Sequence, residues 1–210
     1  MRFAPALFIS ACCVSSPGPS ELFILDRARA GERAAGLFER PTVVIELPPR
    51  DVAATRDLYD FMFQELPFMA ACVRELGRGR YLITRDGDGF IIDDQDGLRL
   101  GMRLLYQDDA RWVFIGSVQY GSVEGEALTI LTATPGMHSE GRIYCRLDGF
   151  FVRLFVGFFV STMRAKAAAF VEAAQHVAEE ASRDPAGFAA RMASTLEPAA
   201  LATFRRKFVR

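Results

Sequence analysis

The side chains able to do chemistry are few. The chain has two histidines, His138 and His176, so a three-histidine metal site cannot be built. His138 lies beside the turn Pro135-Gly136, and His176 has Glu172, Glu179 and Glu180 near it in sequence. Either imidazole could serve as a general base. No serine or cysteine stands in a nucleophile motif for it to activate, and a solvated position is the expectation for both. The carboxylates Asp86, Asp88, Asp93, Asp94 and Asp96 crowd one stretch. An EF-hand calcium loop fails there, because Ile92 occupies the first ligand position two residues before Asp94; these acids read as turn carboxylates. The four cysteines, Cys12, Cys13, Cys72 and Cys145, show neither C-x-x-C nor zinc spacing. Cys72 and Cys145 are expected as two small buried thiols. No phosphate loop or dinucleotide fingerprint is present, so neither a metal nor a cofactor is expected.

Apolar surface is what the chain holds in quantity. Of 210 residues 50% are hydrophobic, including 18 Phe, which suits a globular chain and not a disordered one. Lys plus Arg is 25 against 26 Asp plus Glu, a net charge of -1. That balance argues against nucleic-acid binding. The segment Phe150-Phe151-Val152-Arg153-Leu154-Phe155-Val156-Gly157-Phe158-Phe159-Val160 is apolar nearly all round. It is shorter than the roughly 20 residues of a membrane span and carries Arg153, so it reads as one half of a buried helix.

The elements that would position these residues follow from the periodicity. Residues 20–38 read as a short, glycine-interrupted helix, with Ser20 as N-cap and Gly36 as stop. Thr42–Leu47 is a β-branched strand closed by Pro48-Pro49. Asp51 then caps a helix through Leu66, and Pro67 opens a second one that ends at Gly77. Six strands joined by short turns follow, an antiparallel meander from Tyr81 to Asp148. A helix over 150–182 would span about 50 Å, and two short helical patterns lie around 188–196 and 199–208. In the meander, Met102, Leu104 and Tyr106 alternate onto one face with Trp112, Phe114, Tyr120, Leu128, Ile130 and Cys145. Val113, Ile115, Ala127, Leu131 and Tyr144 would make the other face, covered by the N-terminal segment, the C-terminal helices or a second copy.

This order of a strand, two helices, six antiparallel strands and one long helix resembles the helix-grip fold of the START-like (SRPBCC) superfamily, over about residues 41–183. That superfamily includes lipid-transfer domains, pollen-allergen-type proteins and polyketide cyclases. The resemblance implies an α+β domain whose sheet grips the long helix around an apolar cavity. Its walls would be Met102, Leu104, Tyr106, Trp112, Phe114, Tyr120, Leu128, Ile130 and Cys145 from the sheet, and Phe151, Phe155 and Phe158 from the helix. Such a cavity suits acyl chains or polycyclic molecules, and Tyr106 and Tyr120 could each offer a hydroxyl to a ligand oxygen or sit at the rim. The same pattern is also compatible with a packed core that holds no cavity.

The stretch Ile9-Ser10-Ala11-Cys12, preceded by Arg2 and the apolar run Phe3–Ile9, resembles the lipobox of bacterial lipoproteins. By that resemblance Cys12 is diacylated, Val14–Ser20 is a flexible tether, and the double acyl chain anchors the protein in a membrane. Cys13 rather than Asp follows Cys12, which in that family points to the outer membrane; the alternative is a cytoplasmic chain with an apolar tail. The expected organisation is residues 1–19 signal and tether, 20–40 an N-terminal helical segment, 41–183 the START-like domain and 184–210 a helical extension. That extension ends in Arg205-Arg206-Lys207, which complements a helix C-terminus. The expected function is non-enzymatic binding of a lipid or other hydrophobic small molecule. The alternatives are a polyketide-cyclase-like enzyme and a filled-core interaction module of the cell envelope.

Overall fold

A computed structural model of the chain describes residues 23–133, 138–148 and 152–209, the side chains of 152–156 excepted. Cys12 and Phe151, and the side chain of Phe155, lie outside the described residues. The element order is α1 (Arg27–Glu39), β1 (Val43–Asp51), α2 (Arg56–Gln64), α3 (Leu66–Glu75), β2 (Leu82–Asp86), β3 (Gly89–Asp93), β4 (Leu98–Gln107), β5 (Arg111–Tyr120), β6 (Val123–Ala133), β7 (His138–Asp148), α4 (Val152–Arg183), α5 (Pro185–Arg191), a 3-10 turn Met192–Ser194 and α6 (Pro198–Phe208). The fold class is α+β. One seven-stranded antiparallel sheet has the order β1-β7-β6-β5-β4-β3-β2, and α4 runs beneath it in a helix-grip layout.

Local chemistry sets the boundaries. β1 continues through Pro48 and Pro49, past its expected end at Leu47. It is an edge strand paired only with β7, and its register shifts between Leu47 and Arg50. Proline, which has no N–H to give, is tolerated in such a place. Because β1 reaches Asp51, the N-cap position of the next helix falls to Thr55, whose side chain makes no capping hydrogen bond, and not to Asp51. The β2–β3 hairpin turns on Gly87, whose φ of 57° suits glycine. α1 is interrupted at Gly31, φ 80°. It starts at the N-cap Asp26 and runs beyond Gly36 to Glu39. Ser20 lies outside the described residues.

The sheet is covered on both faces. The inner face, with Ile45, Leu47, Trp112, Phe114, Val118, Leu131, Cys145 and Leu147, meets α2 to α6 in one large core. The C-terminal helices belong to that core: Phe204 is fully buried, with Phe61, Phe68, Phe188 and Phe208 around it at ring separations of 5.3–6.1 Å. The outer face carries a second, smaller core of Val113, Ile115, Leu128, Ile130 and Tyr144, closed by α1 through Ala30, Ala34, Ala35 and Leu37 and by Phe23 and Leu25. The N-terminal segment is therefore the cover. Among the described residues no helix is long and apolar enough to cross a membrane.

Candidate functional site: an apolar cavity under the long helix

Three inward positions on neighbouring strands are small. Gly116 of β5 pairs with Ala127 of β6, and Ala127 with Cys145 of β7. Large residues would have filled the space between sheet and helix at this height; this row leaves it open. Below the row α4 presents Met163, Ala167, Phe170, Val171 and Ala174, a stripe at helical spacing. The result is a cavity walled almost wholly by carbon, with Leu47, Phe63, Leu66, Leu100, Met102, Phe114, Leu131 and Ile143 completing its sides. It is narrow: about 90 Å3 is open to the centre of a water molecule, still several times the room that one water needs. Gly116 cannot be replaced without moving backbone, since a Cβ there would stand 1.5 Å from the Gly101 carbonyl oxygen.

Tyr81, Asp94 and Lys166 line both the cavity and a shallower outer depression, and so mark the mouth. The Lys166 ammonium donates to Asp94 Oδ2 at 2.5 Å, Asp96 Oδ2 at 2.8 Å and the Asp96 carbonyl at 3.2 Å. An ammonium has three N–H donors, so these contacts use them all. Asp94 Oδ1 meanwhile accepts from the backbone N–H groups of Asp96 and Leu98, at 2.8 and 2.9 Å. One carboxylate thus shapes the β3–β4 turn and ties it to α4. Burial alone would raise the Asp94 carboxyl, but the Lys166 and amide hydrogen bonds outweigh it and hold it below the usual range. Burial likewise opposes the charge on Lys166, and the two aspartates overcome it to hold the ammonium above its ordinary value. The Lys166 ammonium also sits 5.6 Å from the Tyr120 ring centroid.

Of the wall residues expected from sequence, Met102, Phe114 and Cys145 line the cavity. Leu104, Trp112 and Tyr120 face the same side of the sheet without lining it. Trp112 is fully buried in an aromatic block with Tyr59 and Phe63, beneath the Arg56 guanidinium at 3.8 Å. Tyr106, Leu128 and Ile130 belong to the opposite face and must be corrected. A register shift between Leu104 and Tyr106 turns Tyr106 over, where its hydroxyl accepts from the Asp26 N–H at 3.0 Å and holds α1. In β6 the inward residues are Ala127 and Leu131, assigned to the outer face from sequence, while Leu128 and Ile130 point out. Phe158 is 69% exposed near the start of α4 and is not among the residues that line this cavity. Sequence reasoning missed Thr129, Met163, Lys166 and Phe170; the α4 stripe was legible from spacing, while Thr129 needed the correct face of β6.

Other polar groups are engaged elsewhere. His138 Nδ1 lies 2.9 Å from Asp51 Oδ1 and Nε2 3.4 Å from Glu140; the hydrogen bond to Asp51 raises its pKa. Cys72 and Cys145 are unpaired and buried, and burial pushes both thiols up to about 12, so neither is a nucleophile near neutral pH. Among the described residues no group of three or more His, Cys, Asp or Glu is placed to hold a metal ion. No family model matches the chain, and no curated protein matches it.

Proposed function

We propose that the protein binds a hydrophobic small molecule, non-enzymatically, in the cavity between the sheet and α4. The observation that carries this reading is the Gly116–Ala127–Cys145 row, which leaves an apolar space in an otherwise closely filled core. Unfilled apolar volume costs stability, roughly 24 cal/mol per Å3, so a retained cavity wants an occupant. The START-like resemblance of the element order supports the same reading. The cyclase-type alternative is less well supported: its polar groups would have to converge on the ligand, yet Tyr106 is bonded to α1 on the far face and no arginine is among the described walls. The filled-core alternative is opposed by the cavity itself. The lipobox-like start further suggests that an acylated Cys12 and the segment after it tether this binding domain to a membrane in the cell envelope; palmitate labelling that persists unchanged in Cys12→Ala would refute the tether. Binding is tested by native mass spectrometry and organic extraction of the purified full-length protein. A stoichiometric hydrophobic species is the expected result. Protein that is empty as purified and takes up no apolar probe on titration would reject the reading.

A further inference from the structure

We infer that the ligand is an uncharged molecule of about a dozen heavy atoms with one hydrogen-bonding oxygen, of the class of medium-chain alcohols, and that this oxygen meets the Thr129 hydroxyl. This inference rests on the binding reading above and narrows it.

Size comes from the volume. Extending the 90 Å3 of centre space by a water radius gives roughly 300–400 Å3, compact or elongated, or ten to thirteen heavy atoms at about 30 Å3 each. A two-chain phospholipid is far too large, and a hexadecyl chain exceeds the room.

Charge comes from the mouth. Asp94, Asp96 and Lys166 sum to -1, and every Lys166 N–H is already directed at an aspartate oxygen. A carboxylate head would bring a third anion to a cation with no donor left. Arg80 lines only the outer depression, on the solvent side of the ion pair. The mouth thus disfavours fatty acids despite its lysine.

The polar contact comes from Thr129. It faces the cavity from β6, between Ala127 and Leu131, and its hydroxyl has no hydrogen-bond partner among the described residues. A hydroxyl bordered by apolar walls loses stability unless something bonds to it, and a ligand hydroxyl or carbonyl supplies that bond. Tyr81, at the mouth, and Ser117, exposed on β5 between the inward Gly116 and Val118, are the other lining hydroxyls without such a partner, but both have solvent within reach.

The test is calorimetric titration of the full-length protein with decan-1-ol, decanoate at pH 8 and hexadecan-1-ol. Decan-1-ol should bind at least tenfold more tightly than either. Thr129→Val, nearly the same shape without the hydroxyl, should weaken decan-1-ol about fivefold, as expected for one lost neutral hydrogen bond, while Thr129→Ser retains it. Circular dichroism melting establishes that each variant folds. Decanoate or hexadecan-1-ol binding as tightly as decan-1-ol, or Thr129→Val binding unchanged, overturns the inference and leaves the cavity reading standing. No binding of any of the three overturns both.

Discussion

Replacing Ala127 by leucine asks whether the space beneath the sheet is vacant. Ala127 lies between Gly116 and Cys145 in the small row and lines the cavity. Leucine adds three carbons, about 90 Å3 at 30 Å3 per heavy atom, roughly a quarter of the room. Burying three methylene equivalents is worth about 2.4 kcal/mol at 0.8 each. Fixing the leucine rotamer costs about 0.5–1 kcal/mol. The net gain is about 1.5 kcal/mol, which for a chain of this size raises Tm by about 3–6 °C. The assay is differential scanning calorimetry on protein stripped of bound hydrophobic material. Decan-1-ol affinity should fall at least tenfold in the same variant. Gly116→Ala is the control: its Cβ would lie 1.5 Å from the Gly101 carbonyl oxygen, so it must destabilise whether or not the cavity is empty. If Ala127→Leu lowers Tm as an overpacked core does, by about 1–3 kcal/mol, the space is filled and the volume argument collapses.

The ion pair at the mouth gives a second expectation. Lys166→Met leaves Asp94, with only 6% of its side chain exposed, without its counterion; this should cost about 2–4 kcal/mol in a denaturant melt, and adding Asp94→Asn should recover part of it. Asp94 and Asp108 are both held below the ordinary carboxylate range, Asp94 against its own burial by Lys166 and backbone amides, Asp108 likewise by Arg111. Their stabilisation is therefore present above the unfolded value near pH 4 and is lost as pH falls through the folded values. A stability profile from pH 6 to pH 2 should fall more shallowly in Lys166→Met than in the parent; an identical acid limb would mean that the pair contributes nothing.

Element order was legible because each period is distinct. The clean alternation of Leu98 to Leu104, the β-branched run before Pro48-Pro49 and the long proline-free stretch up to Asp184-Pro185 all fell into the elements they imply. Faces were harder where both sides of a strand are buried. β6 holds Ala127, Leu128, Ile130, Leu131 and Ala133, apolar on both sides because α1 covers one and α4 the other. Alternation cannot orient such a strand, and the assignment came out inverted. Tyr106 failed for a different reason: one irregular step in β4 reverses every residue beyond it, and nothing in Leu104-Leu105-Tyr106 marks the step. Phe158 failed because an all-apolar helical run does not say which of its residues face solvent: Phe158 is exposed while Phe159 is buried.

The cavity is a property of register more than of composition. Gly116, Ala127 and Cys145 are ordinary small residues spread over thirty positions, and none signals a site alone. They become one only because the β5–β6 turn at Gly121, φ 59°, and the pairing of β6 with β7 bring them onto one line. On either side of that line in β5 stand Phe114 and Val118, both nearly fully buried, so the opening is bounded along the strand as well as across it. A one-residue slip of β6 would place Leu128 or Glu126 in the row. Leucine would fill the space, and glutamate would bury a charge with no described cation in the cavity free to pair with it. The alignment that leaves this space open is also the one that keeps β6 charge out of it, and on the binding reading a ligand would supply the packing which the three small side chains leave undone.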